Sequence, residues 1–173
     1  MRTLKLQMNI SLDNKWDDGM TKFSIDNLKN VDNILLGRNT AEGFIPYWDG
    51  VAKDRKDSLY KLGRPLADIP KVVFSEKLDA SKWDNATLLK GDIAKEIKAL
   101  KRKKGKDIIV YGGDSFVASL LQHNLIDEFY LLVNPGAIGN EQPTFNPLKN
   151  NSKLKLVKSK PFDCGAVLLC YAK

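Results

Sequence analysis

The chain has 173 residues, of which 43% are hydrophobic, and a formal net charge of +7. This length and apolar content suit one globular domain with a sizeable core and exclude a disordered chain. No run approaches the ~18 apolar residues of a membrane span, and polar residues interrupt the opening MRTLKLQMNISLDN, so neither a span nor a signal peptide is read and a cytoplasmic protein is expected.

Strand signals fall at Thr3 to Ile10, Asn33 to Leu36, Lys71 to Ser75, Thr87 to Leu89, Ile108 to Tyr111, Glu128 to Val133, Lys153 to Val157 and Ala166 to Tyr171. Caps and apolar spacing predict helices over Ser24 to Lys29, Thr40 to Phe44, Asp54 to Leu62, Asp92 to Lys104 and Ser115 to Gln122. Trp48 to Asp68 reads as the most irregular stretch, with Pro46, Gly50, Gly63 and Pro65 as turn markers. Alternating strands and helices imply parallel pairing with helices on both faces. The last three strands, with no helices between them, imply antiparallel addition at one edge. The expected fold is therefore α/β, a three-layer α/β/α sandwich on a mixed, mostly parallel sheet, in one domain over residues 1–173.

Cys164 and Cys170 lie close together on an alternating segment, which suggests one strand and one face. Residues on one strand rarely pair, so a reduced compartment fits. With the single His123 they are too few for a metal site, and none is expected. Much of the positive charge sits in Lys98 to Lys106, at the end of a helix whose apolar face is Ile93, Ile97 and Leu100. Cations there offset the helix dipole, and no interleaved aromatics offer base stacking, so nucleic acid is not the expected partner.

The most informative stretch is IIVYGGDSFVASLL, Ile108 to Leu121, where an apolar strand meets a Gly-Gly turn and then a helix. Gly112 and Gly113 allow an anion to approach the main chain, Asp114 or Ser115 can cap the helix, and the positive end of the helix dipole faces the anion. Asn33 to Phe44, NILLGRNTAEGF, repeats this arrangement. Gly37 ends the strand, Arg38 offers a planar cation suited to phosphate, and Asn39 or Thr40 can cap the next helix. Two such turns suggest a dinucleotide, although neither is a G-x-G-x-x-G or a P-loop.

In order and spacing, NISLDNKW, LLGRNTAEGFIPYW, IPKVVFSEKLD, LLKGDI, KDIIVYGGDSFVASLLQHNLIDEFYLLVNPGAIG and the terminal strand pair resemble the dihydrofolate reductase-like family, especially the branch similar to the reductase domain of bacterial riboflavin biosynthesis. The resemblance spans nearly the whole chain. It implies NADPH-dependent reduction of a pterin-like or pyrimidine-like heterocycle. It assigns Gly37, Arg38, Asn39 and Thr40 to a first cofactor loop and Gly112, Gly113, Asp114, Ser115 and Phe116 to a second, whose Gly-Gly peptide is cis in dihydrofolate reductases. Ser75 falls at the site for the adenosine 2′-phosphate, with Lys90, Gly91 and Asp92 beside it, and Asp13 falls on the loop over the nicotinamide.

Three departures follow. Glu76 stands where relatives carry Arg after the serine, so Lys77 substitutes, NADH is accepted in place of NADPH, or Glu76 is a surface residue pointing away from the site; GNEQPTF replaces a more glycine-rich loop. The zinc deaminase motif of the riboflavin enzyme is absent. For the proton that accompanies hydride, the candidates are Asp13, Asp26, which corresponds most nearly to the first-helix carboxylate of dihydrofolate reductases, and water. Phe23, Trp16, Phe44, Tyr47 and Trp48 are candidates for an apolar substrate cleft. The expected partners are a small-molecule substrate and a second copy in a homodimer. A non-catalytic dinucleotide-binding domain and a basic nucleic-acid-binding domain are the alternatives.

Overall fold

The computed structural model describes residues 1–10, 15–136 and 153–173. Asp13 and the GNEQPTF segment lie outside them. The elements run β1 (Leu4–Asn9), α1 (Asp18–Leu28), β2 (Val31–Gly37), α2 (Arg38–Lys53), α3 (Tyr60–Asp68), β3 (Lys71–Phe74), β4 (Ala86–Leu89), α4 (Ile93–Arg102), β5 (Asp107–Tyr111), α5 (Asp114–Gln122), β6 (Glu128–Val133), β7 (Lys155–Pro161) and β8 (Val167–Ala172). They build one sheet of order β4-β3-β2-β5-β1-β6-β8-β7 among the described residues. The first six strands of that order pair in parallel, and β8 and β7 add antiparallel, as expected.

Alternation along the central strands divides the core. Leu35, Ile108 and Val110 face one side, where Ile97 and Leu100 of α4 and Phe116, Val117 and Leu120 of α5 cover them. Ile34, Leu36 and Ile109 face the other, under Ala41 and Ile45 of α2 and Leu62 and Leu66 of α3. Strands buried on both faces need continuous apolar runs, which is why ILL and IIV read as strands without a polar alternation. Met20 of α1 packs on Leu132, Phe162, Leu168 and Cys170 at the antiparallel end.

Four expectations are corrected. Helix α1 begins at Asp18, well before Ser24, because Asp17 caps it by accepting from the Met20 N–H at 2.8 Å and the fully buried Met20 anchors its first turn. The stretch read as irregular is mostly helical, with Pro46 inside α2 and Pro65 inside α3. A proline inside a helix costs ~3 kcal/mol, but each buried aliphatic side chain returns ~1.5–3 kcal/mol, and Ile45, Val51, Leu62 and Leu66 are all buried here. Gly63 is not a turn residue: a Cβ on it would sit 2.5 Å from Val51 Cγ1, so it lets α3 cross close to α2. Cys170 lies on β8, whereas Cys164 lies in the turn before it; both are free.

The basic stretch is also less solvated than its composition implies. Lys101 is buried, and its Nζ donates to Leu125 O at 3.1 Å and to Asp127 Oδ2 at 2.5 Å. Asp127 Oδ2 in turn accepts from the Leu4 N–H at 2.8 Å, so this lysine holds α4 against the start of β1.

Candidate functional site

In an open parallel sheet, ligands bind beyond the carboxyl ends of the strands, where the chain direction across the sheet reverses. β2 and β5 are paired neighbours, and their C-terminal turns therefore lie side by side. The two turns interlock through their glycines. A Cβ on Gly113 would lie 2.5 Å from Thr40 Oγ1, and one on Gly37 would lie 2.9 Å from Phe116 Cβ. Each glycine thus admits the first turn of the helix that follows the other.

Both helices start on those glycines, which corrects the expectation that Asp114 or Ser115, and Asn39 or Thr40, would be the caps. Gly37 is the N-cap of α2 and Gly113 the N-cap of α5, and neither helix start receives a side-chain cap bond. The peptide between Gly112 and Gly113 is trans, not cis; the reversal is made by positive φ at both residues, +51° and +84°. Two helix N-termini without side-chain caps, held against each other, make a place for a phosphate-bearing group.

Two hollows adjoin this junction. The first is a groove of about 320 Å³ lined by Gly37, Arg38, Asn39, Thr40, Ser75, Glu76, Lys77, Gly113, Ser115 and Phe116. Phe74 and Ser119 complete the lining, and eight of the twelve residues, all but Phe74, Glu76, Lys77 and Ser119, belong to the cofactor set expected from sequence. Arg38 Nη1 pairs with Glu42 Oε1 at 2.8 Å on the outer side of α2. Ser75 Oγ accepts from the Lys77 and Leu78 N–H groups at 3.2 Å each. Glu76 Oε1 accepts from the Gly91 N–H at 2.6 Å, which ties the loop after β3 to the loop after β4. Lys90 is not brought to the groove; it is paired with Asp79 at 3.2 Å.

The second hollow is a cleft of about 390 Å³ on the α1 and α2 side, sharing Thr40 with the first. Gly112 and Asp114 line it, as do Trp16, Phe44 and Trp48 of the aromatics expected there. Phe23 instead packs against Tyr130 and Phe162, and Tyr47 is 55% exposed, edge-on to Trp48. Asp26 is not brought to the cleft. It faces solvent, and the Lys29 ammonium at 2.6 Å holds its carboxyl below the usual range.

Sequence reasoning missed Gln7, Ser24 and Tyr111, which also line the cleft. Gln7 Nε2 donates to Ser24 Oγ at 3.0 Å, and Asn27 Nδ2 donates to Gln7 Oε1 at 2.8 Å, so an uncharged polar network joins β1 to α1. The signal was Gln7 in LKLQMN, where Lys5, Gln7 and Asn9 alternate with apolar residues on a strand that has parallel neighbours on both sides, since a polar side chain there needs dedicated partners.

The family model of the RibD C-terminal domain matches residues 3–168. The chain belongs to that family. The chain is also similar to two proteins of Bacillus subtilis (strain 168), the uncharacterized protein YyaP, 33% identical over 159 residues (90% of this chain, 79% of that protein), and the uncharacterized protein YwjB, 28% identical over 160 residues (91% and 80%). The fold is shared with a putative riboflavin biosynthesis protein from Shewanella sp. PV-4, at TM-score 0.69 and 19% identity over 99% of this chain and 98% of that one. It is shared too with a diaminohydroxyphosphoribosylaminopyrimidine deaminase/5-amino-6-(5-phosphoribosylamino)uracil reductase from Thermotoga maritima, at TM-score 0.68 and 18% identity over 99% of this chain and 56% of that one. Among the described residues no helix is long and apolar enough to cross a membrane, and no cluster of His, Cys, Asp and Glu could hold a metal.

Proposed function

We propose that this member of the RibD C-terminal-domain family is a reductase that takes hydride from NADPH or NADH and delivers it to a small heterocycle. The observation that carries the reading is the interlock of Gly37 with Phe116 and Gly113 with Thr40, which sets two helix N-termini side by side between a groove and a cleft. A dinucleotide laid across the junction has its phosphates at the helix starts, its adenosine end in the groove by Ser75 and Glu76, and its nicotinamide toward the cleft. The cofactor supplies the hydride; the protein's part is to hold the two rings together and exclude water. The uracil reductase named among the structural neighbours favours a pyrimidine-like acceptor, and the resemblance to dihydrofolate reductases adds a pterin-like one.

Calorimetric titration with NADPH and with NADH is the direct test, followed by loss of reduced-nicotinamide absorbance on addition of oxidised pyrimidines and pteridines. Binding of one dinucleotide with turnover of at least one ring supports the proposal. Binding with no turnover across the panel would favour a non-catalytic dinucleotide-binding domain, and absence of binding would end the reading.

A further inference from the structure

One residue that lines the cleft, Tyr111, carries a buried polar group with no partner among the described residues. Tyr111 ends β5 immediately before Gly112, and its ring stacks on Phe44 with centroids 5.4 Å apart. Its phenolic oxygen is buried and has no hydrogen-bond partner among the described residues. Leaving a buried hydroxyl unpaired costs ~1–3 kcal/mol, so such a group calls for an explanation where it occurs.

The neighbours explain why no side chain answers it. Tyr111 and Gln7 are register partners on adjacent parallel strands, so their side chains share one face of the sheet, and both line the cleft. Gln7 is the nearest polar candidate by register, yet its amide is engaged by Ser24 and Asn27 of α1. Burial also pushes the Tyr111 phenol well above its ordinary pKa, which keeps it protonated and a donor. Among the described residues that line the cleft, the one carboxylate is Asp114, which is exposed at the start of α5. The floor is therefore neutral.

We infer that Tyr111 is a substrate-binding residue, whose phenol donates a hydrogen bond to a carbonyl oxygen of an uncharged heterocycle lying in the cleft. The inference rests on the reductase reading for its occupant and deepens it by naming the residue that reads the ring. A neutral floor with a donor accepts a ring carbonyl; an amino group at the same ring position can only donate to the phenolic oxygen, which leaves the O–H without an acceptor. Discrimination of that kind is strong in sites built around one buried hydrogen bond.

The test uses the parent chain and Tyr111→Phe, each titrated calorimetrically with NADPH and NADH, and then with two probes of equal shape, pteridine-2,4-dione and pteridine-2,4-diamine. The dione is expected to bind the parent, and Tyr111→Phe is expected to weaken it about fivefold or more. Affinity for the dinucleotide should stay unchanged, and affinity for the diamine should fall by less than that for the dione. The thermal midpoint of Tyr111→Phe should be equal to or above the parent's, because an unpaired buried hydroxyl has been removed; a hydroxyl with a purely structural role would lower it. Failure of the parent to bind either dinucleotide removes the reductase reading and this inference with it. Dinucleotide binding with no affinity for the dione, or with equal dione affinity in both proteins, overturns the inference alone.

Discussion

Gly113→Ala tests the junction that organises the whole site. Gly113 has φ +84° and ψ 89°, a conformation an alanine adopts only under strain of ~1–3 kcal/mol. Its Cβ would also lie 2.5 Å from Thr40 Oγ1, and relieving that contact by moving α2 away from α5 adds ~1–3 kcal/mol. The expected loss of stability is about 2–6 kcal/mol. Gly112→Ala is the internal control: its φ is +51° but nothing lies within 4 Å of its Cβ position, so only the backbone penalty, ~1–2 kcal/mol, should appear. Urea denaturation of a double-mutant cycle with Thr40→Ala separates the two parts of the Gly113 effect. Removing Oγ1 clears the contact and leaves the strain, so the cycle should return a coupling of ~1–3 kcal/mol in the double variant's favour. Strictly additive losses, or a Gly113→Ala variant no weaker than Gly112→Ala, would show that the two helix starts are not pressed together.

Glu76→Arg is expected to shift the ratio of NADPH to NADH dissociation constants tenfold or more toward NADPH, the ~1.5–3 kcal/mol of a charge-assisted hydrogen bond; an unchanged ratio by calorimetry would show that Glu76 does not meet the adenosine ribose. Asp107 is pushed up by burial, but hydrogen bonds from Lys5 and Asn30, each at 2.8 Å, outweigh this and hold its carboxyl below the usual range. A depressed carboxylate contributes stability that is full above its unfolded pKa, ~3.9, and is lost as pH falls through the folded value. Asp107→Asn should therefore cost about 2–3 kcal/mol at pH 7, short of the ~3–5 kcal/mol of a fully buried pair, and flatten the acid limb; identical acid limbs in the two proteins would refute this. Asp26→Asn should leave turnover and cofactor affinity as they are, while Asp13→Asn should lower turnover with cofactor affinity retained. Steady-state kinetics beside calorimetry decides between them.

The strands were legible because their signal is local. An apolar run such as EFYLLV carries its own bounds, and β6 spans Glu128–Val133 as expected. Helices with polar starts were not. DGMTKF holds a glycine and a threonine in the first turns of α1, and what makes it helical is the cap from Asp17 and the burial of Met20 against strands more than a hundred residues away. The same holds for Pro46 and Pro65, which punctuate a sequence but are overruled by packing between α2 and α3. In the site, the glycines could be read from the chain because a glycine between strand and helix is a local oddity. What each glycine presses against, Thr40 for Gly113 and Phe116 for Gly37, depends on β2 and β5 becoming neighbours, and no single turn reveals that. Tyr111 escaped for a related reason: at the end of IIVY it looks like an ordinary strand aromatic until the missing partner is visible.

The register of α1 decides the proton question for this helix. Successive residues on a helix are turned ~100° apart, so an error of one position moves a side chain from a cleft to solvent. The face of α1 that meets β1 runs through Ser24 and Asn27, three residues apart, both bonded to Gln7. Asp26 is one step off that face and pairs with Lys29 in solvent. The described residue of α1 that lines the cleft is therefore Ser24, a hydroxyl, and Asn27, one turn further on, is a neutral amide bonded to Gln7. A hydroxyl and an amide can orient Gln7 but have no proton to give at neutral pH, so under the proposed reductase function the proton that accompanies hydride would not come from this face of α1. A turnover loss in Asp26→Asn larger than in Asp13→Asn would mean that α1 rotates when substrate binds, and would restore its carboxylate to the chemistry.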